Sequence, residues 1–106
     1  MKKKEAKNVI TGFTHYTTKP GTGETFLFHC QAFMKQTRTE SGCIHFELFQ
    51  SHTCSTCFII YHKWESAKVW EEHLNMKYTA EFINAINHIV DKVELIEASE
   101  TPDTFV

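Results

Sequence analysis

The chain has 106 residues, 42% hydrophobic, 13% aromatic and 23% charged, with a formal net charge of −2. This length suits one domain with one core; the nine Phe argue against disorder, and scattered Lys and Arg in a slightly acidic chain argue against nucleic-acid binding. No apolar run approaches the ~20 residues of a membrane span, and Met1-Lys2-Lys3-Lys4-Glu5 lacks the apolar stretch of a secretory signal, so a cytoplasmic protein with no membrane partner is expected.

Residues 1–7 read as a basic tail. Asn8 to Tyr16 reads as a strand, with Val9, Thr11, Phe13 and His15 on one face and Ile10, Gly12, Thr14 and Tyr16 on the other. Lys19 to Gly23 is a turn, after which Thr22 is expected to cap a helix striped by Phe26, Leu27, Cys30, Phe33 and Met34. Gly42 suits a left-handed residue beyond that helix. Cys43 to Gln50 and Cys57 to Glu65 alternate as strands two and three. In the third, Phe58, Ile60, His62 and Trp64 share a face. Ser66 is expected to cap a helix over Ala67 to Asn75 carrying Val69, Trp70, His73 and Leu74. A further helix is expected over Thr79 to Val90, then a strand over Lys92 to Ala98 and a tail over 99–106.

The order is β-α-β-β-α-α-β. With the adjacent helices counted as one broken crossover, it is the split β-α-β, ferredoxin-like pattern of an α+β fold: a four-stranded antiparallel sheet with helices on one face. Strands one and three carry large apolar residues on both faces. Helices cover only one, so a homodimer stacked sheet on sheet is expected.

Glu40 to Leu48, Phe58 to Ser66, the His73-Leu74 pair and Phe82 together resemble the antibiotic biosynthesis monooxygenase (ABM) domain over residues 8–98. The most specific block is Tyr61 to Leu74, an aromatic strand ending Trp-Glu-Ser with His-Leu nine residues after Trp64. The resemblance implies a dimeric α/β barrel and a small-molecule pocket between each sheet and its own helices. It further implies cofactor-independent monooxygenase chemistry: a quinol-like or other electron-rich aromatic substrate, molecular oxygen, and neither cofactor nor metal. Where the family commonly has Glu, this chain has His62. The haem-degrading branch would need Trp where His73 stands and His where Ile83 stands, so haem degradation is not expected.

His73 and His62 are therefore the candidate catalytic residues, as acid/base groups sharing a pocket. Structural roles stand beside these: His73 as a bridge between sheet and helix, His62 as a core histidine bonded to backbone or to Glu47. Trp64, Phe58 and His15 are candidate substrate contacts. Of His15 and Tyr16, which alternate across the first strand, one should face the helices. Isomerisation or breakdown of a small carbonyl metabolite is an alternative use of the same pocket, and non-catalytic binding of a small ligand is another. Cys54-Ser55-Thr56-Cys57 lies in an expected hairpin loop without the helix of a thioredoxin-type site or the further ligands of a zinc site, so two reduced loop thiols are expected.

Overall fold

Alternation in the sheet and the helical stripes convert directly into seven elements of the computed structural model, which describes residues 9–99. They are β1 (Ile10–Thr18), α1 (Gly23–Thr37), β2 (Cys43–Gln50), β3 (Cys57–Trp64), α2 (Ala67–Leu74), α3 (Lys77–Ile86) and β4 (Val90–Ala98). The expected tails at 1–7 and 99–106 lie, Ser99 apart, outside the described residues. The strands form one antiparallel sheet in the order β2-β3-β1-β4, the ferredoxin-like α+β arrangement, with the three helices on one face.

The helix expected over Thr79 to Val90 ends four residues earlier, at Ile86. The chain then turns: the Ile89 amide donates to the Ile86 carbonyl at 3.0 Å, and the Ile89 carbonyl accepts from Lys19 N–H at 2.8 Å. Ile89 is apolar because it is buried in the core, not because the helix continues. Ser66 caps α2 as expected, accepting from the Val69 amide at 3.2 Å. Thr22 does not cap with its side chain; its hydroxyl donates to the Lys19 carbonyl at 2.6 Å and tightens the turn. Nor does Gly42 adopt a left-handed conformation. A Cβ there would run into the Val69 side chain, so glycine lets α2 approach the turn before β2.

The two faces of the sheet differ. Toward the helices, Phe58, Ile60, His62 and Trp64 are all buried. Phe58 packs on Phe26 of α1 (ring centroids 4.8 Å apart), and Phe33 of α1 stacks on Phe82 of α3 at 4.0 Å. The opposite face carries two cross-sheet rows, Glu47–Tyr61–Phe13–Ile96 and Phe49–Ile59–His15–Glu94. Phe13 and Tyr61 stack at 5.5 Å, while Phe49 and Ile96 remain 54% and 45% exposed. In the loop between β2 and β3 the expectation of two reduced thiols is corrected: Cys54 and Cys57 are joined in a disulfide, because a turn with a Cα–Cα separation of 5.4 Å brings the pair within bridging reach.

Candidate active site

His62 and His73 line the same cavity and both pack against Phe46 and Trp70. His62 stands on the helix-facing side of β3, and His73 hangs from α2, which Ser66 and the close contact at Gly42 hold over the sheet. The cavity they line is about 230 Å³, below the ~300–1,000 Å³ usual for drug-sized ligands. Its lining is largely apolar, including Phe33, Phe46, Ile60 and Phe82. The mouth lies between β4 and the helices, where Val93, Leu95, Ile83 and Leu74 are each roughly half exposed. At one end the Trp70 indole N–H donates to Glu97 Oε2 at 3.1 Å and ties α2 to β4.

Both ring nitrogens of His62 are engaged. Trp64 Nε1–H, which can only donate, lies 3.1 Å from Nδ1, so Nδ1 carries the lone pair. The proton is thereby assigned to Nε2, which donates to Thr14 Oγ1 at 3.2 Å. Burial, reinforced by nearby His73, pushes His62 down to about 4, so the ring is neutral at neutral pH. The ring also fills the space where a Cβ on Gly12 would sit, and stacks on Trp70 at 4.8 Å.

His73 is anchored from one side only. Its Nδ1 lies 2.8 Å from Glu40 Oε2, in the turn that precedes β2. The same carboxylate oxygen accepts the single proton of the Tyr78 hydroxyl of α3, and Thr37 Oγ1, which donates to the Phe33 carbonyl, lies 3.4 Å from the phenol oxygen. A carboxylate accepting from Tyr78 assigns the imidazole proton to Nδ1. Burial, then the bond to Glu40, holds the Tyr78 phenol well above its ordinary range, so it keeps its proton. The remaining nitrogen, Nε2, has no hydrogen-bond partner among the described residues and, because no fully buried polar atom there is left unpaired, retains access to the cavity. The Thr79 hydroxyl donates to the His73 carbonyl at 2.7 Å and fixes the α2–α3 junction beneath the ring.

The structure brings some of the sequence candidates together and separates others. His62 and His73 share the cavity, but they do not hydrogen-bond to each other; each has its own partners. Trp64 lies behind the wall, fully buried, and orients His62. Phe58 belongs to the core beside Phe26 and does not line the cavity. His15 lies on the opposite sheet face, in a depression with Ser51, Cys57, Lys92 and Glu94; Tyr16 is the neighbour that faces the helices and lines the cavity. Glu47 pairs with Arg38 at 3.0 Å and not with His62. Glu40, Thr14 and Trp70 complete the site without having been singled out. The two free thiols lie elsewhere, and burial pushes Cys30 up to about 12 and Cys43 up to about 11, which makes both poor nucleophiles.

A family model described as antibiotic biosynthesis monooxygenase matches residues 10–85, most of the chain. The chain belongs to that family. The Pseudomonas aeruginosa protein PA3566 shares its fold, with a TM-score of 0.84 at 21% identity over 89% of this chain and 95% of that one. A solved structure named antibiotic biosynthesis monooxygenase is similar at TM-score 0.84 and 16% identity, covering 88% of this chain and 99% of the other. An uncharacterised protein of Synechocystis is 24% identical over 101 residues, covering 95% of this chain and 69% of its own. Among the described residues of this ABM protein, no helix is long and apolar enough to cross a membrane.

Proposed function

We propose that this ABM protein is a cofactor-independent monooxygenase acting on a small, flat, electron-rich aromatic of the quinol or anthrone type, with His73 as general base. The supporting observation is a buried imidazole whose Nδ1 is held by a carboxylate and whose Nε2 opens onto an apolar cavity. Glu40 fixes the tautomer, faces the lone pair into the cavity and stabilises the imidazolium that forms, as the carboxylate does in a Ser-His-Asp triad. Proton transfer from an acidic C–H or O–H to Nε2 leaves a carbanion or phenolate. That anion gives one electron to molecular oxygen, and the two radicals combine into a peroxide at carbon. Returning the proton and losing water then leaves one oxygen atom in the product as a carbonyl. Apolar walls favour the neutral substrate and oxygen over water.

The second face of the sheet belongs to the same proposal. Phe13, Ile59 and Tyr61, with exposed Phe49 and Ile96, form an apolar surface that a second copy of the chain would cover in a homodimer.

Oxygen uptake with a panel of quinols and anthrones, followed by mass analysis of the product made under ¹⁸O₂, tests the reaction. One labelled atom per product, formed above the spontaneous rate, is the expected result. Turnover that proceeds equally well without oxygen would replace the oxygenase by acid/base isomerisation in the same cavity.

A further inference from the structure

Thr14 presents an apparent excess of construction. It sits at the middle of β1, paired with Ile60 of β3 and Leu95 of β4, so its backbone is fixed from both sides. It contributes one of the few polar groups lining the cavity. Its hydroxyl oxygen accepts from His62 Nε2–H, and among the described residues it makes no other hydrogen bond. An accepting hydroxyl still has its own proton to place. The direction of that proton is decided one residue away: the Trp64 indole can only donate, so His62 Nδ1 must accept, Nε2 must donate, and the Thr14 O–H is left to point to whatever occupies the cavity.

We infer that Thr14 is the carbonyl-binding residue of this site: its hydroxyl, aligned by the Trp64–His62 relay, donates to a ligand oxygen. The inference rests on the proposed use of the cavity as a base-containing active site and adds a substrate requirement to it. With an acceptor at His73 Nε2 and a donor at Thr14, the favoured ligand carries an ionisable O–H or C–H and, on the same small conjugated frame, a carbonyl oxygen. As the base removes the proton, charge moves onto that oxygen, and the Thr14 bond strengthens where charge develops.

A role limited to filling space does not account for the arrangement. Gly12 gives up its side chain to admit the His62 ring, Trp64 is buried to hold one nitrogen, and Trp70 stacks on its face. An apolar residue at position 62 would pack such a wall without the desolvation cost of a buried imidazole. The relay instead passes donor character from a buried indole to one hydroxyl at the cavity surface, and chained hydrogen bonds of this kind polarise one another.

The test uses the full chain and two probes, 4-hydroxybenzaldehyde, which has phenol and carbonyl, and 4-ethylphenol, which has the phenol alone. Thr14→Val, which keeps the branched shape, is expected to raise the Kd of 4-hydroxybenzaldehyde about 2- to 12-fold, the worth of one neutral hydrogen bond. The Kd of 4-ethylphenol should change less than about twofold, and Thr14→Ser should behave as wild type with both. In isotope-edited infrared spectra the bound aldehyde carbonyl should lie at lower frequency in wild type and Thr14→Ser than in Thr14→Val. Equal weakening of both probes by Thr14→Val, or an unchanged carbonyl frequency, would overturn the assignment and leave the base reading intact. If Thr14→Val does not fold, a wild-type carbonyl at its frequency in an apolar solvent overturns it equally. Failure of both probes to bind wild type would overturn the cavity reading and this inference together.

Discussion

His62 and His73 line one cavity and are almost equally buried, at 1% and 2% exposure, yet their surroundings assign them opposite parts. His62 meets an indole donor on one nitrogen and a hydroxyl on the other, so its lone pair is consumed and its ring is fixed as a neutral donor. His73 meets a carboxylate on one nitrogen and open cavity on the other, so its lone pair is available and its protonated form has a counter-charge waiting. Residue type and burial do not separate the two. The chemistry follows from which partner each nitrogen has.

The largest expected effect breaks the comparison at the proposed base. His73→Ala should lower turnover about 100- to 10,000-fold, the usual worth of a general base, with oxygen uptake as the readout. Substituting His62 should act instead through folding and ligand orientation.

Next in size is a stability effect specific to His62. Its folded-state value of about 4 lies below the ordinary value of 6.5, so the unfolded chain takes up the proton first. Stability is fully present above pH 6.5 and is lost as pH falls toward 4. About 3 kcal/mol should disappear across that window, measured as urea unfolding free energies at pH 7, 5.5 and 4. A His62→Leu chain should show a correspondingly flatter profile; equal slopes would contradict the neutral assignment.

Glu40→Gln sharpens the other side. It keeps the shape but replaces a charge-assisted bond of about 1.5–3 kcal/mol, so kcat should fall roughly 10- to 100-fold with the fold unchanged by circular dichroism. Gly12→Ala strikes the His62 side through packing alone. The added methyl meets the His62 ring, and overpacking of about 1–3 kcal/mol should appear as a lowered urea midpoint.

Legibility of the sequence followed the range of the interactions. β2 and β3 were readable because alternation is local, and Phe58, Ile60, His62 and Trp64 do share the inner face. The boundary between α3 and β4 was not, because Ile86, Ile89 and Val90 are apolar for two different reasons, helix packing before the turn and core filling after it. His62 and His73 could be proposed as a pair since parity on β3 and spacing on α2 are visible. Glu40 could not: it lies 33 residues from His73 and meets it only through the folded turn before β2. On β1, parity held the answer. Thr14 and Tyr16 alternate with Phe13 and His15, and the Thr14–Ile60 register puts Thr14 toward the helices and His15 away from them.

The most direct measurement is chemical rescue. Oxygen uptake on 1,4-dihydroxynaphthalene is followed with wild type and with His73→Gly, in the absence and presence of added imidazole. If His73 is the base, the variant loses protein-dependent uptake and imidazole restores part of it, saturably and only when the protein is present. A His73→Gly protein that folds and turns over at the wild-type rate without imidazole would contradict the assignment of His73 as the base.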